Sequence, residues 1–197
     1  LVMAIIDAVN NVKDAAHNNQ SVAPVVAEHA GMGEMSDDCD RSDVKPLTIH
    51  ALSVSNGILA LCPLPGAGGD YAGDMDHLHD WQPGLVISMT ANVEHVAAGA
   101  ADLGQDFQSI GCRWHHLPLP DFSAPTPEML ARWPEISALA LQALKGGGRV
   151  LVHCKGGCGR SGMVVLRLMI EAGEGRETAL QRLRAVRPCA VETQAQM

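Results

Sequence analysis

A chain of 197 residues and 20.8 kDa fits one domain with or without an appendage, and it can bury a core without disulfides or a structural metal. Hydrophobic residues at 47% against 18% charged exclude a wholly disordered chain, and aromatics at only 3% require an aliphatic core and count against base-stacking surfaces. A net charge of −8 excludes a non-specific grip on nucleic acid or an anionic membrane, so any anion site must be a local pocket.

Residues 1–46 differ in texture from the rest and are expected to be an N-terminal extension ahead of a domain at 47–197. Val2, Ile5, Val9, Val12 and Ala16 recur at helical spacing and predict a short amphipathic helix. The polar stretch from Asn18 to Val44 predicts a mobile loop. Leu1–Ile6 is apolar but lacks a cationic lead and is interrupted by Asp7, so it is not read as a signal peptide. The expectation is a cytoplasmic protein whose six cysteines are reduced.

From Leu47 the pattern alternates. Ile49–Val54 and Ile58–Leu61 predict strands joined by a turn at Ser55-Asn56-Gly57. Pro63–Gly73 is a Gly/Pro loop, and Asp76–Trp81 predicts one or two helical turns. Leu85–Met89 predicts a buried strand, and Thr90 or Asn92 can cap a helix running through Ala98. Trp114–Leu117 predicts a strand and Pro118–Pro127 a Pro-rich loop. Ile136–Lys145 is helical in composition, with Pro134 marking its start. Val150–His153 predicts a strand, Ser161–Ala172 a helix, and Arg176–Arg187 a last helix stopped by Pro188. Strands alternating with helices predict an α/β layer structure around a partly parallel sheet. Asp74, Asp76, His77, His79 and Asp80 are ligand types, but acids and histidines also suit a solvated helix start.

The chemistry concentrates in Val150-Leu151-Val152-His153-Cys154-Lys155-Gly156-Gly157-Cys158-Gly159-Arg160-Ser161-Gly162. An apolar strand enters a Gly-rich loop that enters an apolar helix. The glycines let backbone N–H groups turn inward, and the helix adds its unpaired N–H groups and positive dipole end. Such a nest binds a phosphate-like dianion and stabilises a facing cysteine as a nucleophilic thiolate. Arg160 can grip two phosphoryl oxygens at once, and Ser161 can donate a hydrogen bond to the Cys154 sulfur. A nucleotide-binding P-loop is excluded, because Cys154 and Arg160 stand where it needs Gly and Lys. Cys158 is either a loop packer or a disulfide partner for Cys154.

His153-Cys154-x-x-Gly157-x-x-Arg160-Ser161 resembles the signature of the cysteine-dependent protein tyrosine phosphatase superfamily. The likeness extends to Leu117–Pro125, which looks like the loop carrying that family's general acid. It also extends to Arg187-Pro188-Cys189-Ala190-Val191-Glu192-Thr193-Gln194-Ala195-Gln196, similar to a run in bacterial and kinase-associated dual-specificity phosphatases in which Gly stands at the place of Cys189. The resemblance implies a dual-specificity-phosphatase-like α/β fold, with a central, mostly parallel sheet of four to five strands flanked by helices. It implies hydrolysis of a phosphate monoester through a phosphocysteine. Cys154 would be the nucleophile and Asp121 the general acid and then base. Ser161 and His153 would assist the thiolate. Lys155, Gly156, Gly157, Cys158, Gly159 and Arg160 would bind the phosphoryl group, with Gln196 near the site. This chemistry needs no metal and no cofactor. The expected partner is a phosphorylated protein, phosphotyrosine first, with neither nucleic acid nor membrane. A phospho-ligand-binding pseudophosphatase, and a sulfurtransferase or arsenate reductase using the same Cys/Arg loop, are the alternatives.

Overall fold

The computed structural model describes residues 45–197; the predicted helix and loop before them lie outside that range. Its elements in chain order are strands β1 (His50–Val54) and β2 (Gly57–Cys62), helix α1 (Tyr71–Trp81), strand β3 (Leu85–Ser88), helices α2 (Asn92–Ala97) and α3 (Leu103–Ser109), strand β4 (Arg113–His116), helix α4 (Pro127–Lys145), strand β5 (Arg149–His153), helices α5 (Gly159–Glu171) and α6 (Arg176–Val186), and a 3-10 turn at Gln194–Gln196.

The five strands form one sheet in the order β1-β2-β5-β3-β4, in which only β1 is antiparallel to its neighbour. β2, β3 and β5 read as unbroken apolar runs because helices cover both faces. Successive residues of β2 divide between two cores. Leu59 and Leu61 face the side packed by α4, α5 and α6; Ala60 and Cys62 face the side packed by Leu78 of α1 and by Leu103 and Phe107 of α3. Edge strand β1 instead alternates, with Leu52 and Val54 buried and Ala51 and Ser53 exposed.

Three elements depart from the sequence reading. Helix α1 starts at Tyr71 rather than Asp76, because the Asp70 carboxylate accepts the Gly73 N–H and nucleates an earlier turn. Helix α4 starts at Pro127, capped by Thr126 accepting from Met129 N, and Pro134 lies inside it. Helix α3 carries two buried apolar residues in a short polar segment, too few to announce a period. The remaining boundaries agree to within two residues at each end.

Strand order puts β5 at the centre, so its carboxyl end opens beside those of β2 and β3, where open α/β sheets bind ligands. In that row His153 lies between Cys62 of β2 and Ser88 of β3, and Cys154 is the next residue out.

Candidate active site

The loop between β5 and α5 is shaped by what holds it from outside. Four consecutive carbonyls have partners there. Lys155 O accepts from Leu64 N at 3.3 Å, Gly156 O from Arg187 Nη2 at 2.8 Å, Gly157 O from Arg187 Nε at 3.0 Å, and Cys158 O from Val191 N at 3.4 Å besides Gly162 N of its own helix at 2.9 Å. In a trans peptide the N–H points opposite to its C=O. The N–H groups of Gly156, Gly157, Cys158 and Gly159 are therefore turned to the inside of the loop, as an anion nest requires. Two glycines permit this. Gly157 has φ of +66°, and a Cβ there would come within 2.6 Å of Cys62 C and Pro63 N; at Gly159 a Cβ would meet Gln196 Nε2 at 2.9 Å.

Cys154 is buried and free, and its Sγ lies 3.2 Å from Ser161 Oγ in the first turn of α5. Arg160 is 1% exposed. Its Nη1 donates to Glu94 Oε2 (2.9 Å) and Leu119 O (3.0 Å), and its Nη2 to Glu94 Oε1 (2.8 Å). Those bonds consume three of the five guanidinium N–H groups. What remains is one planar fork, Nε–H with the outer Nη2–H, matched to two oxygens of a phosphoryl group. The Asp121 carboxylate stands on that edge, Oδ1 3.2 Å from Nε, and is itself exposed. The Pro-rich segment after β4 thus brings the predicted acid to the predicted arginine.

Behind the loop, Ser88 Oγ and His153 Nε2 are in contact, and the ring is fully buried. Burial, with His95 and His116 nearby, pushes the His153 imidazole down to about 3, so it is neutral at working pH. The hydrogen bonds from Arg160, more than any other contact, hold the Glu94 carboxyl below its ordinary value despite partial burial. Gln196 is buried; its Oε1 accepts from Glu192 N and Thr193 N, and Nε2 has no partner among the described residues. Lys155 is exposed at the rim. Asp74 is spent on structure, accepting from Leu47 N and Gly66 N.

Cys158 is neither a packer nor a partner of Cys154. It is bonded to Cys189, with Cα atoms 5.3 Å apart. Expecting all cysteines to be reduced fails for this pair, because the fold brings the turn after α6 against the loop. Sequence reasoning also missed two functional contacts. Arg187 stood in the recognised C-terminal run without a role. Glu94 lies 66 residues from Arg160 in the chain and looks like any acid in a first helical turn.

The comparisons show what the chain and its fold are similar to. A family model described as "Tc-R-P: Polymorphic toxin system, DSP-PTPase phosphatase" matches residues 66–174. Cyclin-dependent kinase inhibitor 3 of Rattus norvegicus is 35% identical over 176 residues, covering 83% of this chain and 82% of that protein. Among solved structures, kinase associated phosphatase with its catalytic-site cysteine replaced by serine matches with a TM-score of 0.68 at 26% identity, over 77% of this chain and 90% of that one. Tk-PTP in its active form matches at 0.54 and 30% identity, over 71% and 86%. Human DUSP28, at 0.52 and 22% identity over 77% and 88%, shares the fold. On this evidence the chain belongs to the dual-specificity branch of the cysteine-dependent protein tyrosine phosphatase superfamily and is a protein phosphatase.

Proposed function

We propose that this phosphatase removes phosphate from phosphotyrosine in proteins, with some tolerance of phosphoserine and phosphothreonine, and that Cys154, Arg160, Asp121 and Ser161 carry the chemistry. The observation that carries the reading is the convergence of four inward loop amides and the Arg160 fork on Cys154, with Asp121 at the same edge. A phosphocysteine intermediate is the family's general mechanism. Here the Cys154 thiolate attacks phosphorus while the ester P–O bond breaks and protonated Asp121 gives its proton to the departing oxygen. The loop amides of Lys155 to Arg160 and the guanidinium fork hold the three equatorial oxygens as charge spreads over them. Asp121, now a carboxylate, takes a proton from water; the water oxygen attacks phosphorus, and the S–P bond breaks. Ser161 Oγ–H donates to the departing sulfur. Neutral His153 shapes the loop rather than acting as a base, and Gln196 lies close under Gly159.

The preference for an aryl ester draws on Phe122, which is 60% exposed next to Asp121 and offers an apolar face to a phosphotyrosine ring. The chain's charge of −8 disfavours nucleic-acid and anionic-lipid substrates. No helix of the described residues is long and apolar enough to cross a membrane.

The test is hydrolysis of p-nitrophenyl phosphate in EDTA, followed by phosphotyrosyl and phosphothreonyl peptides. Cys154→Ser is expected to abolish turnover. Asp121→Asn is expected to lower kcat roughly 10²–10⁴-fold and remove one limb of its pH profile. Phe122→Ala should cost more on phosphotyrosine than on phosphothreonine. Turnover surviving in Cys154→Ser would overturn the mechanism, and equal losses on both peptides the role of Phe122.

A further inference from the structure

Every outside support of the loop's second half comes from one short stretch. Arg187 takes the carbonyls of Gly156 and Gly157, Val191 N reaches Cys158 O at 3.4 Å, and Cys189 is bonded to Cys158. Three of these contacts are hydrogen bonds, which break and reform freely. The fourth is covalent, and its presence depends on redox conditions rather than temperature. Cys158 is half-buried and Cys189 exposed, so a small thiol or disulfide in solution can reach the bond, whereas Cys62, Cys112 and Cys154 are buried. Cys158 also supplies one of the four inward amides and the N-cap of α5. Whatever fixes Cys158 therefore fixes an amide that faces the phosphoryl group.

We propose that Cys158 and Cys189 are a site of reversible redox modification, a clasp whose closed form holds the anion loop in its phosphate-binding shape and whose opened form binds phosphate more weakly. The inference rests on the loop being the phosphate site. Closure consumes a low-molecular-weight disulfide. A thiolate at one of the two cysteines attacks that disulfide, forming a mixed disulfide and releasing one small thiolate. The other protein thiolate then attacks the bonded cysteine sulfur and releases the second. Two protons leave the protein thiols, and two electrons pass to the small disulfide. A dithiol reverses both exchanges and is itself oxidised to a cyclic disulfide. The clasp also denies Cys154 a bridge to its loop neighbour, because closed Cys158 has no thiol to offer.

The experiment uses the full chain carrying Cys154→Ser, which removes competing oxidation of the nucleophile, and the same chain also carrying Cys158→Ser and Cys189→Ser. Each is equilibrated with glutathione disulfide or with dithiothreitol, freed of reagent, and titrated with inorganic phosphate. Peptide mapping of the same samples, alkylated before digestion, reads the bond. The linked Cys158–Cys189 peptide is expected after disulfide treatment, lost after dithiothreitol and regained on re-oxidation. Phosphate Kd is expected to be about 5–10-fold weaker in the reduced Cys154→Ser variant and unchanged by redox treatment in the variant that lacks both clasp cysteines. Both cysteines alkylating after disulfide treatment would overturn the clasp. A closed bond with the same phosphate Kd in both states would overturn its hold on the loop. Phosphate bound in neither state, with the linked peptide present, would instead count against the loop as the phosphate site and take the clasp's function with it.

Discussion

A guanidinium withdrawn from water costs several kcal/mol unless its donors and its charge are met. Arg160 meets the cost through Glu94 and two backbone carbonyls, and the same bonds decide which edge it shows to substrate. Glu94 is thus a positioning residue: it touches the arginine, not the phosphate. Glu94→Gln keeps the shape but replaces one acceptor oxygen with a donor facing a cation. The expected result is a kcat/KM loss of roughly 10–100-fold, about 1.4–2.8 kcal/mol, with Glu94→Asp recovering part of it and Cys154 alkylation still proceeding. Gly157→Ala should be at least as severe, because φ of +66° disfavours a Cβ that would also meet Cys62 and Pro63 backbone at 2.6 Å. Near-normal kcat/KM with phosphotyrosyl peptide in either variant would refute these readings. Cys154, Arg160 and Ser161 stood out in the sequence because residue type and local spacing carry the chemistry proposed for them, and Asp121 stood out through the resemblance of its loop. Glu94 was not, because its meaning is a contact made across the sheet.

At the scale of elements, caps decided what periodicity left open. Reading Pro134 as the start of α4 applied the right rule to the wrong proline, since Pro127 occupies the first turn behind Thr126. Inside the helix Pro134 removes the N–H that would reach the carbonyl of Leu130, a residue on the exposed face where water can serve instead. Thr126→Ala should destabilise the protein by about 1 kcal/mol in a urea melt, and Thr126→Ser much less. Equal stabilities would mean the cap contributes nothing. Because Thr126 also ends the segment carrying Asp121, a fall in kcat alongside the melt would tie acid-loop placement to this cap. Helix α5, by contrast, was readable nearly to its ends, because ten of its thirteen residues are buried and Arg167 alone interrupts the apolar stretch from Met163 to Ile170.

The molecule as a whole sets two further properties. His153 is neutral in the fold and ordinary in the unfolded chain. Its folded value of about 3 lies below the unfolded one near 6.5, so its contribution to stability is complete above pH 6.5 and lost as pH falls toward 3. Across that window unfolded protein binds a proton that folded protein refuses. Urea melts between pH 7 and 4 should show wild type losing up to about 1.4 kcal/mol per pH unit more than His153→Gln. Identical slopes would mean the ring titrates normally in place. The second property is the Cys158–Cys189 bond, which spans a sequence separation of 31. Closing a loop of that length in the unfolded chain should stabilise the oxidised protein by about 3–4 kcal/mol. Cys189→Ser should lose that amount in oxidised buffer and almost nothing in dithiothreitol. A deficit of equal size in both buffers would assign the loss to packing instead.

The sequence by itself determined the anion loop with its cysteine and arginine, because a Gly-rich turn between an apolar strand and an apolar helix is complete within thirteen consecutive residues. It also determined the α/β alternation and most strand positions, since buried central strands write themselves as apolar runs. Only the tertiary structure decided how the loop is held. The order β1-β2-β5-β3-β4 places β5 between β2 and β3. That order aims Glu94 at Arg160 across the sheet and folds the turn after α6 back onto the loop, where Arg187 and Cys189 find Gly156, Gly157 and Cys158. Such pairings depend on strand order and helix placement, and no local pattern of residues encodes a contact made 31 or 66 positions away.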